Sequence, residues 1–299
     1  MCGIMGYYSF GNTVPDKNKI EKMFVLLESR GRDASGFAFI DTQNNNQLKV
    51  TKAPVPSSHL VKSEAWKNLN LPKIMIFHTR MKTQGDPKNN MNNHPLFTKE
   101  GIAIVHNGMI YNDKEIFSGK IKRDAQVDSE AILGVMARNK KTKDFIKNIF
   151  DSLEGIFAVA MINQNEPAKL TLIKKNNPIE LYYNSKYDIL YFASEREIMQ
   201  EALHLRTNYK RGFGIGEESY FHYEMEDNHG MIINENGIES YKKYFPKHGG
   251  FRYDFANNFE DEVIMECPYC LSKTKYNWIK LDNRCEHCGQ YLDVEDIYV

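Results

Sequence analysis

The five cysteines are the residues of this 299-residue chain whose type and spacing point most directly to chemistry. Cys2 follows the initiator methionine and stands apart from the other four. If Met1 is removed, one residue carries both a thiol and a free α-amine. An α-amine titrates near about 8, so at neutral pH it can accept the thiol proton. Cys2 would then supply a nucleophile together with its own general base.

The other four cysteines form two C-x-x-C pairs separated by fourteen residues, in the order Cys267, Cys270, Cys285 and Cys288. Two such pairs can present four thiolates to one tetrahedral Zn²⁺, so we expect a structural zinc ribbon, with a redox or metal-free role as the alternative. Gly289 suits the left-handed backbone of a zinc knuckle, and His287 is expected to be a bystander. Spacing leaves open whether the ribbon is a structural appendage or a docking surface for a protein or nucleic acid.

Charge and hydropathy narrow the classes of protein that fit the chain. Lys plus Arg equals Asp plus Glu at 39 each, so no global charge indicates nucleic acid or an anionic membrane as a partner. No segment is apolar for long enough to cross a bilayer, and the polar residues from Asn12 onward do not fit a signal peptide. We therefore expect a cytoplasmic protein that does not bind membranes.

The elements that must position Cys2 are visible in the hydrophobic pattern. Apolar residues at helical spacing predict a helix over about residues 16–29, and the segment HLVKSEAWKNL also suits a helix. The runs SGFAFID and QLKVTKA predict a strand pair around a QNNN turn. Two apolar runs, KIMIF and GIAIV, lead into the polar signatures HTR and HNG, as expected of buried strands with functional groups at their ends. Later come predicted helices in SEAILGVMARN, KDFIKNIFDSL and EREIMQEAL, with four β-rich runs before the last, which together favour α+β layers.

Several of these segments share their order and spacing with a known family. The motifs are MCGIMGYY, LLESRGRDASGFA, HTRMKTQGDPKNNMNNHPLF, IVHNGMIYN and VDSEAI, followed by LEGIFAVAMI and YFASEREIM. Together they resemble class II glutamine amidotransferase domains, most closely the glutaminase halves of glucosamine-6-phosphate synthase and amidophosphoribosyltransferase. The resemblance covers about residues 2–243 and implies an α+β fold, the four-layer αββα sandwich of N-terminal nucleophile hydrolases. It leaves residues 244–262 as a linker and residues 263–299 as the zinc ribbon.

The resemblance also implies roles for particular residues. Arg80 would bind the α-carboxylate of L-glutamine with its guanidinium fork, and Thr83 would add a hydroxyl donor. Asp128 would bind the α-ammonium, although it could also cap the helix that follows. The Asn107 amide and the Gly108 N–H would form the oxyanion hole. Supporting roles around these groups fall to Arg30, Asp33 and His106, where Arg30 and Asp33 could equally form a local ion pair.

The implied reaction is glutamine hydrolysis through a Cys2 thioester, which needs no cofactor. Because only a linker and a ribbon follow the domain, we expect the ammonia to pass to a separate acceptor or synthetase protein. A free-standing hydrolase of a γ-glutamyl amide and a non-catalytic binding module are the alternatives. The run MKTQG after HTR, and the long stretch DPKNNMNNHP, depart from the pattern of the sugar synthases and concern the rim of the pocket. Gly3 is expected to leave room for substrate beside the thiol.

Overall fold

The computed structural model describes residues 2–118, 122–138, 142–205, 220–243, 262–267, 269–277, 284–290 and 292. The predicted linker therefore lies outside the described residues, except for its last position, and so do Met1 and the end of the ribbon.

Fifteen strands and seven α-helices are present in the described part of the chain. The helices are α1 (Lys17–Leu26), α2 (Ser57–Leu60), α3 (Glu64–Lys67), α4 (Asp113–Ile116), α5 (Glu130–Arg138), α6 (Thr142–Ser152) and α7 (Arg196–Ala202), with 3₁₀ turns at Leu27–Arg30 and Asn90–Asn92. The strands are β1 (Gly3–Ser9), β2 (Ala34–Asp41), β3 (Gln47–Ala53), β4 (Ile74–Arg80), β5 (Leu96–Phe97), β6 (Ile102–Ile110), β7 (Gly155–Asn163), β8 (Leu170–Lys175), β9 (Glu180–Asn184), β10 (Ile189–Ala193), β11 (Tyr220–Glu224), β12 (His229–Asn234), β13 (Gly237–Lys243), β14 (Glu262–Glu266) and β15 (Lys273–Asn277).

The strands form two large antiparallel sheets and one small one. Sheet A has the order β11-β9-β10-β1-β4-β2-β3, and sheet B has the order β13-β12-β8-β7-β6-β5. In sheet A, β1 lies in the centre between β10 and β4. Strands β14 and β15 pair as a separate hairpin in the cysteine-rich end of the chain. The first strand of the chain is thus held on both edges, so the residue before it is not a frayed end.

Three apolar clusters show that the sheets and helices are stacked in four layers. One cluster lies between the sheets and joins Ile4 and Ile76 of sheet A to Val105 and Ala160 of sheet B. A second joins sheet A to α1, α2, α3 and α7, and a third joins sheet B to α4, α5 and α6. The order is helices, sheet A, sheet B, helices, which confirms the expected α+β, αββα arrangement.

Local sequence explains why the first helix forms and where it ends. Asp16 accepts a hydrogen bond from the Asn18 N–H at 2.9 Å and so caps α1. Ile20, Met23 and Phe24 are buried at helical spacing against sheet A. The predicted helix over 16–29 is therefore present, but its last residues tighten into the 3₁₀ turn Leu27–Arg30.

Two predictions differ from the structure in detail. The segment HLVKSEAWKNL forms two four-residue helices rather than one, because Ser63 interrupts it and caps α3 through a bond from the Trp66 N–H. The HTR and HNG signatures do not follow their strands but lie inside β4 and β6. The functional groups are therefore carried by hydrogen-bonded sheet, which holds them more rigidly than a loop would.

No helix in the described part of the chain is long and apolar enough to cross a membrane.

Candidate active site and cysteine cluster

The thiol of Cys2 lies at the point where β1 begins and β4 ends. The antiparallel register pairs Gly3 with Thr79, so Cys2 and Arg80 flank the same end of sheet A. The Cys2 Sγ is 3.5 Å from the carbonyl oxygen of Met81. Burial raises the pKa of the thiol, and the positive charge of Arg80 opposes this only in part. The thiol is therefore protonated at neutral pH, and attack on an amide requires a base nearby.

Arg80 is buried at the end of β4, with 3% of its surface exposed. Its Nη1 donates to Asn93 Oδ1 at 2.7 Å, and its Nη2 donates to the carbonyls of Gln84 and Gly85. The positive charge of the guanidinium lowers the pKa of the Cys2 thiol, and the thiol in turn affects the pKa of Arg80. A buried cation near a thiol is suited to hold an anionic group of a ligand.

Asp128 brings a negative charge to the same site from the segment before α5, which is bonded to sheet B. Its Oδ2 accepts from the Ile110 N–H at 2.7 Å, which ties the segment before α5 to the end of β6. The buried carboxylate lies close enough to Cys2 and Arg80 to affect the pKa of both groups. Arg80 and Asp128 therefore bring opposite charges near a thiol, which matches the two charged groups of an α-amino acid.

Asn107 is held next to the first strand by a serine. Its Nδ2 donates to Ser194 Oγ at 3.4 Å, and Ser194 Oγ accepts from the Ile4 N–H at 2.9 Å. The Asn107 carbonyl accepts from Asn177 Nδ2 at 2.6 Å, whereas Asn107 Oδ1 is buried without a protein partner. One N–H of the side-chain amide thus remains available for an oxygen that gains charge.

Gly108 is required by the sheet as well as by any chemistry. Its φ is +141°, and an added Cβ would lie 2.1 Å from the Ile156 carbonyl oxygen of β7. Gly3 behaves similarly, because an added Cβ there would lie within 3 Å of Leu27 and Arg30 side-chain atoms. The open space expected beside Gly3 is therefore filled by protein.

Arg30 and Asp33 do not pair with each other. Arg30 donates from Nε to the Cys2 carbonyl at 3.2 Å, and its Nη1 forms an ion pair with Glu195. Asp33 Oδ2 accepts from the Lys82 N–H at 2.6 Å, and its own N–H donates to the Arg80 carbonyl. Arg30 therefore holds the backbone of Cys2, and Asp33 holds the backbone at the end of β4 and just after it.

Three buried histidines pack behind the site. The rings of His78 and His94 stack at 4.2 Å, and those of His94 and His106 are 6.4 Å apart. His78 Nε2 contacts the His106 carbonyl, and His106 Nδ1 contacts Ser129 Oγ at 2.7 Å. Burial lowers the pKa of all three rings, that of His78 to about 3, so the rings are neutral at physiological pH.

The predicted site residues are not all brought together. Thr83 is exposed on the loop after β4, whereas Arg80, Asn107 and Asp128 are buried. Sequence reasoning also missed several polar residues around the site, although the asparagine-rich stretch NNMNN and the motif FASE were visible signals for three of them. They are Lys52, Asn92, Asn93, Gln126, Asn177 and Ser194.

The cysteine cluster is compact and built from two similar turns. The four Sγ atoms of Cys267, Cys270, Cys285 and Cys288 lie within 4.8 Å of one another, with contacts of 3.6 and 3.7 Å across the two pairs. In each turn the residue after the second cysteine has a positive φ, +58° at Leu271 and +71° at Gly289. The predicted left-handed backbone at Gly289 is confirmed.

His287 makes two further contacts in the cysteine cluster. The His287 N–H donates to Cys285 Sγ at 3.4 Å, while the His287 ring contacts the Lys273 carbonyl. Among the described residues, the four cysteines form the one cluster of side chains close enough together to bind a metal ion, and His287 is not part of this cluster.

Comparison with known proteins supports the same family from sequence. Residues 78–201 match a family model described as a glutamine amidotransferase domain. The chain is 34% identical over 189 residues to glutamine–fructose-6-phosphate aminotransferase (isomerizing) of Francisella tularensis, which covers 60% of this chain and 29% of that protein. It is 32% identical over 188 residues to the protein of the same name from Clostridium perfringens, again covering 60% and 29%. The chain thus spans less than a third of the length of these relatives.

Comparison with solved structures addresses the fold. Glutamine phosphoribosylpyrophosphate amidotransferase of B. subtilis, in complex with ADP and GMP, matches with a TM-score of 0.61 and 18% identity, covering 81% of this chain and 49% of that one. A likeness at this identity concerns the fold alone, and it agrees with the four-layer arrangement. Residues 78–201 therefore match a glutamine amidotransferase domain, and the described chain shares the fold of this solved amidotransferase.

Proposed function

We propose that this chain hydrolyses L-glutamine at Cys2 and supplies the ammonia to a separate acceptor protein. The observation that carries the proposal is the register of β1 and β4, which places the Cys2 thiol and Arg80 at the same end of sheet A, together with Asp128, which affects the pKa of both groups. L-Glutamine carries a carboxylate and an ammonium on one carbon. Binding by both charges would direct its side-chain amide toward the thiol.

The proposed chemistry begins with the Cys2 amine, freed by removal of Met1. The amine takes the Sγ proton, and the thiolate attacks the amide carbon to form a C–S bond. The Asn107 amide and the Gly108 N–H would stabilise the negative oxygen. The Cys2 ammonium then protonates the leaving nitrogen, the C–N bond breaks, and ammonia departs from a γ-glutamyl thioester. Water activated by the same amine hydrolyses the thioester to glutamate and restores the thiol.

The raised pKa of the Cys2 thiol supports this use of the amine. A thiol that is protonated at neutral pH cannot attack without a base. The buried histidines do not fit this role, because His78 is bonded to the His106 carbonyl and His106 to Ser129. The α-amine of the same residue is the base closest to the sulfur.

The experiment compares the wild-type chain with Cys2→Ala, after intact-mass measurement shows that Met1 has been removed. We expect wild type to release glutamate from L-glutamine and Cys2→Ala to release none. Failure of wild type to release glutamate, with or without cell lysate, together with failure of a thiol reagent to label Cys2, would refute the proposal. Full activity in protein that retains Met1 would refute the amine as the base.

A second experiment distinguishes an ammonia-supplying subunit from a free-standing hydrolase by testing for a partner protein. We expect a purified complex to form an aminated product from L-glutamine only when Cys2 is intact. Rapid hydrolysis by the chain alone, unchanged by any co-purifying protein, would favour the hydrolase of a γ-glutamyl amide instead.

The cysteine cluster fits a structural zinc ion. In a tetrahedral site with Zn–S distances of about 2.3 Å, the sulfurs are about 3.8 Å apart, close to the contacts of 3.6 and 3.7 Å between them. Cys267, Cys270, Cys285 and Cys288 would hold the ion, and the His287 N–H to Cys285 would stabilise a thiolate. Zinc there would supply folding energy to the hairpin of β14 and β15, since this small unit buries little apolar surface. We expect one zinc per chain by elemental analysis, and none in Cys285→Ser.

A further inference from the structure

We propose that Asn93 is a positioning residue that holds Arg80 in place and keeps its positive charge free for the α-carboxylate of the substrate, and that Asn92 ties the same loop to the segment that carries Asp128. The inference rests on the proposed glutamine site and adds a determinant of its specificity. Both asparagines lie in the stretch that departs from the sugar synthases, and both are fully buried.

The orientation of the Asn93 amide is determined by its partners. Its Nδ2 donates to the Pro87 carbonyl at 2.7 Å and to Asn90 Oδ1 at 3.0 Å. Its Oδ1 accepts from Arg80 Nη1 at 2.7 Å. Because a carbonyl can only accept and a guanidinium can only donate, the amide cannot be reversed without losing both contacts. Arg80 Nη1 is therefore held by a partner with one possible orientation.

The neutrality of Asn93 matters as much as its geometry. A carboxylate in this place would pair with Arg80 and cancel its charge, whereas an amide oxygen fixes the guanidinium and leaves it positive. Lys52 supports the same segment, since its Nζ donates to the carbonyls of Asn93 at 2.6 Å and Pro95 at 3.0 Å. Lys52 thus adds a second positive charge near Arg80, where the carboxylates of Asp33, Asp86 and Asp128 also act on the guanidinium.

Asn92 connects the arginine side of the site to the aspartate side. Its Nδ2 donates to the Asp86 carbonyl at 3.1 Å and to Gln126 Oε1 at 3.2 Å, and its Oδ1 accepts from the Gln126 N–H at 2.8 Å. Gln126 precedes Asp128 by two residues. An added Cβ on Gly85 would lie 2.8 Å from the Asn92 carboxamide, so the loop packs directly on this amide. Asn92 therefore sets the distance between the two charges that would bind an amino acid.

The test uses a ligand that lacks the carboxylate. 4-Aminobutanamide keeps the ammonium and the side-chain amide of L-glutamine but has no group for Arg80. For Asn93→Ala we expect the KM for L-glutamine to rise about tenfold, as for loss of one charged hydrogen bond, with kcat changed by less than about twofold. The inhibition constant of 4-aminobutanamide should stay within about twofold of wild type. Lys88→Gln, an exposed change in the same loop, is the matched control and should match wild type.

Asn92→Ala should behave differently, because its contacts reach the segment of Asp128. We expect it to weaken L-glutamine and 4-aminobutanamide by similar factors, since both carry the ammonium. If Asn93→Ala does not fold, as judged by circular dichroism, Asn93→Ser is judged by the same ratio of the two ligands.

Two results would overturn the inference. Equal weakening of both ligands by Asn93→Ala indicates a general structural role, and no weakening of either indicates no role. In both cases the proposed function stands, because wild type still hydrolyses L-glutamine. A wild-type chain that neither hydrolyses L-glutamine nor is stabilised by it against heat refutes the proposed function and this inference together.

Discussion

Protonation of the buried histidines should limit the stability of this protein in acid. The perturbation is a change from about pH 7.5 to about pH 5. His78 and His94 are neutral in the folded chain, and burial lowers the pKa of His78 to about 3 and that of His94 well below its usual value. In the unfolded chain both titrate near about 6.5. The unfolded state therefore binds more protons below that pH, and stability falls as the pH falls.

The magnitude follows from the pKa difference. At pH 5 such a histidine is protonated in the unfolded chain but neutral in the folded chain. This difference lowers the free energy of unfolding by about 2 kcal/mol, since each pH unit below about 6.5 contributes about 1.36 kcal/mol. Two such rings give about 4 kcal/mol, a large part of the roughly 5–15 kcal/mol that holds a typical domain folded. The loss for His78 continues down to its folded pKa of about 3.

The charges that face the rings do not reverse the direction. Arg80 and Lys52 lower the pKa of His78 and His94 further, and Asp128 raises only that of His106. The assay is urea unfolding followed by circular dichroism at several pH values between about 7.5 and 5. His94→Phe keeps a ring beside His78 but removes one titrating group, so its free energy of unfolding should lose about 2 kcal/mol less over the same range.

The free energy of unfolding is plotted against pH for wild type and for His94→Phe. The difference between the two slopes gives the contribution of His94, because the carboxylates that also titrate in acid are the same in both proteins. Equal pH dependence of wild type and His94→Phe would contradict the reasoning, because it would mean that His94 is protonated in the folded protein.

Three other predictions concern the backbone, the thiol and the metal. Gly108→Ala should lower the thermal unfolding midpoint strongly, since its Cβ would meet the Ile156 carbonyl, whereas Gly237→Ala, with φ +101° and nothing within 4 Å, should show only backbone strain. Arg30→Ala removes the bond to the Cys2 carbonyl and should lower kcat for L-glutamine about tenfold or more with little change in KM. Arg32→Ala removes an exposed guanidinium, while its partner Glu28 keeps the bonds to Ser57 and Ser58, so stability should change by less than about 1 kcal/mol. Removing zinc with a chelator should abolish amide-exchange protection in β14 and β15 while glutaminase activity is unchanged; loss of activity in parallel would show that the ribbon and the site are coupled.

The parts of the structure that depend on nearby residues were predictable. The hairpin of β2 and β3 follows from alternation around a short turn, and α1 follows from its apolar spacing and from Asp16 as its cap. The cysteine turns are similarly local, because each pair is three residues apart and Gly289 supplies a positive φ. The order of the motifs predicted the family, and the family predicted the four layers.

The polar network around the site was not predictable in the same way. Arg30 pairs with Glu195, 165 residues away, rather than with nearby Asp33. Asn107 reaches Ser194 across 87 positions, and Asn92 reaches Gln126 across 34. Taken alone, each of these side chains is as typical of a surface loop as of a buried polar network.

The residue types that could carry chemistry were readable from the sequence alone: a thiol at the second position, four cysteines with zinc spacing, and Arg80 and Asp128 as a charged pair suited to an amino acid. The groups that hold Arg80 and Asp128, and the orientation in which they hold them, became visible in the folded chain. The physical reason is that these contacts depend on the register between β1 and β4 and on the packing of two sheets. Such contacts join residues far apart in the chain, and no local spacing encodes them.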